Sequence, residues 1–198
     1  MSGFLLTKAG KSRSYNITKA YQLKMLAASA AGGIIAGIVT AHIRLHLGLP
    51  GHKVLFWLTP VIIVRLLGRC KAGATTGAIT AALTCFVLGG HLAGGIFGLP
   101  LIGFAGIILD VVINSLEKRQ TPVYQAIVAI SITAMIANLL CFTKRLLVPA
   151  GPSPRFLFGQ PGLWSNLISY AFFGLSAGLI AVVFVYVTNR YKNRRRIK

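Results

Sequence analysis

AGATTGAITAALTCFVLGGHLAGGIFGLPLIGFAGIIL, residues 72–109, runs for 38 positions without a charged side chain. A helix needs about 20 residues to cross roughly 30 Å of hydrocarbon, so the run holds two spans and a turn. Gly89, Gly90, His91, Gly94 and Gly95, followed by Pro100, mark the turn between the two apolar segments. The same test on the rest of the chain predicts six spans, at 25–43, 54–69, 72–90, 98–116, 123–143 and 163–188. The second is the weakest, because it is short, contains Pro60, and reaches its length only if Arg65 snorkels toward the surface.

Composition agrees with this reading. The chain has 198 residues, 55% of them hydrophobic and 12% charged, with 21 Lys and Arg against two acids, Asp110 and Glu117, for a net charge of +19. Mean hydropathy is +0.74. An ordinary soluble domain carries about twice that charged fraction. A soluble nucleic-acid binder would not combine its basic charge with long apolar runs, so nucleic acid is not expected as a partner. The apolar content also excludes a disordered chain. The fold class expected is all-α, a polytopic membrane protein with a compact six-helix bundle, and its first partner is the lipid bilayer.

Basic loops stay in the cytoplasm, which orients the bundle. Sixteen Lys and Arg fall on one side: five in the N-terminal arm, then Arg65, Arg69 and Lys71, then Lys118 and Arg119, and six in the tail. Five fall on the other side: Arg44, Lys53, Lys144, Arg145 and Arg155. Both termini are therefore expected in the cytoplasm of a multi-pass protein of the cell membrane. Residues 1–24 form a basic arm, 25–188 the transmembrane domain and 189–198 a basic tail. The apolar stretch Phe4–Leu6 is too short for the core of a signal peptide. Cys70, Cys85 and Cys141 have no metal-type spacing and read as small apolar filler.

In lipid, helices associate by close backbone approach through small residues spaced four apart. The first span offers this in several registers, including Ala27/Ala31, Ala28/Gly32, Gly32/Ala36 and Gly33/Gly37. Two readings fit: a tightly packed central helix in a monomer, or a helix that contacts neighbours on two sides, one of them another subunit. Asp110 is the only acid inside an apolar span. An ionisable group at that depth is a functional candidate by default, and an ion pair with Arg65 or Arg69 is the structural alternative.

The predicted outer side gathers His42, His46, His52, Lys53 and Trp57 around a Pro50-Gly51 turn, with His91 in the second outer turn. Asn138 lies in the outer half of the fifth span, Trp164 opens the sixth, and Arg155 sits in the long loop between them. His46, His52, Lys53, Trp57, His91, Asn138, Arg155 and Trp164 are the candidate ligand-binding set, apolar walls with a few convergent polar groups. The histidine spacing matches no strong metal signature, and interfacial His and Trp at headgroup level are the plainer reading. No acid pair, nucleophile elbow, HExxH or Walker A motif is present, so neither an enzyme nor a cofactor is expected. Uphill transport would draw its energy from another subunit or from an ion gradient.

Six helices, cytoplasmic termini and the Ala-x-x-x-Ala first helix resemble the substrate-binding S components of energy-coupling factor (ECF) transporters. The Leu49-Pro50-Gly51-His52 stretch, the Gly-rich turn and the Gly-x-x-Leu-Asp pattern ending at Asp110 are also similar to some members. The resemblance spans residues 22–190 and matches no vitamin-specific signature. It implies a protein that binds a small micronutrient on its outer side and associates with a membrane coupling subunit and two ATPase subunits, with Ala27, Ala31, Gly32 and Ala36 of the first span as the docking face. Two other classes stay open: a small channel or ion-coupled permease using Asp110, and a structural subunit of a membrane complex with the first span as its interface.

Overall fold

A computed structural model describes residues 19–43, 50–90, 92, 98–147 and 163–195. Among them are six helices: α1 (Lys19–His42), α2 (Val54–Gly68), α3 (Gly73–Val87), α4 (Gly98–Lys118), α5 (Val123–Leu147) and α6 (Leu163–Arg195). Each predicted span coincides with one of them. α1 begins within the expected arm and α6 runs on into the expected tail. Both extensions are polar sequences rich in good helix formers, so the helix continues past its apolar part. Four helices, α1, α4, α5 and α6, are long and apolar enough to cross a membrane. α2 and α3 have 15 residues each, about 22 Å at 1.5 Å per residue.

The helices close into a ring. α1 packs on α2 and α3, α3 on α4, α4 on α5, α5 on α6, and α6 on α2, while α2 also touches α3. α2 is the most enclosed, and Leu67 is its only exposed residue. Packing partners fix the directions. Gly33 and Gly37 of α1 face Gly77 and Ala81 of α3, so these two run parallel. Gly32 of α1 meets Val64 of α2, and Gly68 of α2 meets Met25 of α1, so that pair is antiparallel. Thr59 of α2 reaches Ala177 of α6, and Ser169 of α6 reaches Pro50 just before α2, a parallel pair. Gly174 and Gly178 of α6 pack on Met135 and Ser131 of α5 in antiparallel order. The start of α1 and the end of α6 therefore lie at one end of the bundle, together with the α2–α3 and α4–α5 turns.

Large side chains such as Leu58, Ile62 and Leu109 fill the interior as in a soluble domain, but small residues line the helix contacts and the outer surface is apolar as well. Ala74, Ala78, Ala81, Ala105, Ala134, Ala137, Ala177 and Ala181 are fully buried, whereas Phe104, Ile107 and Val111 of α4 and Val128, Ile132 and Ile136 of α5 are exposed. Those exposed residues recur every three or four positions and make continuous apolar stripes. A water-soluble monomer rarely exposes apolar patches beyond a few hundred Å². Small residues between helices and large ones outward is the arrangement that close packing in lipid favours.

Both turns at this end use a non-glycine residue at positive φ, Arg69 at 51° and Gln120 at 49°. The left-handed region costs an L-residue roughly 1–2 kcal/mol, which glycine avoids at some cost in unfolded-state entropy. Gln120→Gly is expected to stabilise the protein by about 0.5–1 kcal/mol, measured as a raised melting temperature in detergent.

Candidate functional site

The strongest polar constellation lies where α2, α3 and α4 meet. α3 starts after the short turn 69–72, and its N-cap, Ala72, supplies no side-chain cap. Its first backbone N–H groups therefore need acceptors from elsewhere. Asp110 of α4 provides them. Its Oδ1 accepts from Ala74 N at 3.1 Å, and its Oδ2 from Thr75 N at 2.8 Å and Thr75 Oγ1 at 2.7 Å. A carboxylate at a helix N-terminus is also favoured by the helix dipole.

Arg65 of α2 completes the cluster from a fully buried position, at 0% exposure. Its Nε donates to Asp110 Oδ1 at 2.9 Å and its Nη1 to Glu117 Oε1 at 3.1 Å. Nη2 donates to Asn114 Oδ1 at 2.6 Å and to Glu117 Oε2 at 3.4 Å. Asn114 passes the connection on, with Nδ2 donating to the Lys71 carbonyl at 3.1 Å. Asp110, Asn114 and Glu117 follow i, i+4, i+7 spacing, so one face of α4 carries all three. Gly73 makes room, since a Cβ there would stand 3.0 Å from Arg65 Cδ and from Ser29 Oγ. Both acids of the chain are thus spent on a single arginine. Each oxygen of Asp110 already has two donors, an arrangement suited to fastening three helices rather than to taking up and releasing an ion.

The opposite end holds the predicted ligand set. The Pro50-Gly51 turn is tied to α5 and α6. Ser169 Oγ donates to the Pro50 carbonyl at 2.7 Å, and Asn138 Nδ2 donates to the Tyr170 carbonyl at 2.8 Å and the Gly51 carbonyl at 3.4 Å. Gly51 has φ of 87°, and a Cβ there would sit 2.9 Å from the Tyr170 ring. The His52 ring packs edge-on against Phe173 at 6.3 Å, and Tyr170 lies 5.1 Å from Phe142.

His52, Asn138 and the Pro50-Gly51 turn are therefore brought together, with Ser169 and Tyr170, which the sequence did not single out. Lys53 is half-buried beside them. Trp57 is buried in the core, and Trp164 is 72% exposed on the first turn of α6. His46, His91 and Arg155 lie outside the described residues.

On α1 the four docking candidates divide. Ala27 and Ala31 are exposed, as is Ala28, while Gly32 faces Val64 and Ala36 is buried in the core. No cluster of three His, Cys, Asp or Glu side chains suited to a metal ion occurs among the described residues. No family model, curated protein or solved structure matches the chain.

Proposed function

We propose that this chain is the substrate-binding membrane subunit of an uptake transporter for a vitamin-like small molecule, energised by separate ATPase subunits through a membrane coupling subunit, as in ECF systems. In this reading it crosses the cell membrane six times with both ends in the cytoplasm. The alternating helix directions support that threading. α2, enclosed by its neighbours, has little lipid to span, and its short length is no obstacle.

The observation that carries the proposal is the division of small residues on α1. Gly33 and Gly37 are consumed by α3, and Gly32 and Ala36 by the bundle interior, yet Ala27, Ala28 and Ala31 still face outward. They form a short patch of small residues, bounded on the same stripe by the exposed Leu23 and Ile35, at which a neighbouring helix gains close backbone approach. The Pro50–Lys53 turn, held down by Asn138 and Ser169, supplies a fixed polar rim for a ligand at the other end. The permease reading is opposed by the four donors on Asp110.

The test is purification from native membranes followed by native mass spectrometry. The expected result is a retained small molecule of constant mass and co-eluting ATPase subunits. Ala27→Leu with Ala31→Leu should reduce ATPase recovery by about tenfold while the small molecule stays bound. Purified chain with neither ligand nor ATPase would refute the proposal.

A further inference from the structure

Two carboxylates cannot neutralise 21 basic side chains however the chain folds, and the net charge is +19. The fold concentrates part of this excess. Arg69 and Lys71 are exposed on the α2–α3 turn, and Lys118 and Arg119 are exposed at the end of α4. The buried network holds these two turns side by side, because Asn114 grips the Lys71 carbonyl and Glu117, next to Lys118, grips Arg65.

The surroundings identify the counter-charge. Tyr21, Tyr124 and Tyr191 stand at this same end at 44%, 65% and 69% exposure. Tyrosine at this level of a bundle marks the water–headgroup interface. Leading away from the basic cluster along the same two helices, α3 exposes Ile79 and Leu83 and α4 exposes Phe104, Ile107 and Val111. Gly103 lies in the seam, with only Ile79 within 4 Å of where its Cβ would be. An apolar seam leading to a basic cluster, at the end of the bundle where α1, α5 and α6 expose tyrosines, is complementary to an amphiphile with an anionic head. A folded acidic protein would match the charge and leave the apolar seam unused.

We propose that the paired α2–α3 and α4–α5 turns form a binding site for an anionic phospholipid. Its phosphate sits among Lys71, Lys118 and Arg119, and an acyl chain lies along the α3–α4 seam. In the orientation proposed above, this is a lipid of the cytoplasmic leaflet. The site is independent of whatever the chain transports, so its failure leaves the transport proposal standing.

The test uses the full chain in nanodiscs of phosphatidylcholine, into which phosphatidylglycerol is titrated, with retained lipid counted by native mass spectrometry. The expected result is preferential retention of phosphatidylglycerol. Lys71→Gln, Lys118→Gln and Arg119→Gln should each weaken that preference by about fivefold, with the melting temperature in pure phosphatidylcholine unchanged. A second variant, Arg194→Gln with Arg195→Gln and Arg196→Gln in the tail, should keep the preference. Equal retention of the two lipids would overturn the proposal. So would a preference that survives the turn substitutions and disappears with the tail substitutions. Displacement of the lipid by millimolar glycerol phosphate would also overturn it, by showing a site for a soluble anion.

Discussion

Asp110→Ala is expected to destabilise the protein by about 3–5 kcal/mol, enough to deplete folded protein from the membrane. Two costs combine. The substitution leaves the buried Arg65 guanidinium without the carboxylate at its Nε, and it strips the acceptor from the first N–H groups of α3. Glu117 and Asn114 still hold the other two nitrogens, so the cost comes from the buried Nε left without an acceptor together with the uncapped start of α3. Asp110→Asn should be milder, because an amide oxygen still accepts from α3, and Arg65→Met combined with Asp110→Asn milder than the sum of the two single changes. That non-additivity, read as a double-mutant cycle on denaturation midpoints in detergent, measures the coupling directly. Single substitutions costing under about 1 kcal/mol, the range of an exposed pair, would show that the cluster is not the fastening described. The same variants separate the functional classes. If Asp110 carried a coupling ion, Asp110→Asn would abolish transport in protein that folds normally.

The α1–α3 seam predicts the second large effect. At Gly37 a Cβ would stand 2.6 Å from the Ala81 carbonyl and 2.8 Å from Thr84 Cβ, and at Gly33 it would collide with the Gly77 carbonyl and Thr80 Oγ1. Backbone atoms cannot rotate away, so even alanine forces the helices apart. Gly37→Ala is expected to cost about 1–3 kcal/mol, as overpacking generally does. Gly33→Leu or Gly37→Leu should cost more and expose the seam to proteolysis. Thr80 Oγ1, 2.9 Å from the Thr76 carbonyl of its own helix, also lies 3.2 Å from the Ala30 carbonyl across this seam, and separation removes that second acceptor. Gly68→Ala serves as the control, since its Cβ would meet only Met25 Sδ at 3.5 Å. It should change stability by less than about 0.5 kcal/mol. A Gly37→Leu protein as stable as the Gly68→Ala protein would contradict the seam.

The helices were legible because apolar run length is set by lipid thickness, and the turns because Gly and Pro punctuate them. Charge bookkeeping also singled out Asp110 and named Arg65 as a possible partner. Glu117 was hidden by its neighbours, since a carboxylate beside Lys118 and Arg119 reads as a surface ion pair. The Asp110, Asn114, Glu117 spacing was the available signal, and it gains meaning only once Arg65 is known to face that side of α4. The enclosure of α2 was illegible because its apolar residues, spread on all sides of Arg65 and Thr59, form no directional stripe. The small residues of the first span showed that helices would approach closely, but not which would do so. Gly33 and Gly37 found α3, while Ala27 and Ala31 were left outside. Asn138 was chosen as a polar group for a ligand, and the fold uses it on the Tyr170 and Gly51 carbonyls, a pairing set by the α5–α6 register.

A chain threaded through lipid an even number of times, with the Arg65 end inward, underlies both proposals. Impermeant-thiol labelling of single cysteines placed at Lys8, Arg119, Ser165 and Lys198 in intact cells tests this directly. Labelling is expected at Ser165 alone until the cells are permeabilised, after which all four react. Labelling of Lys8 and Lys198 from opposite faces would contradict it.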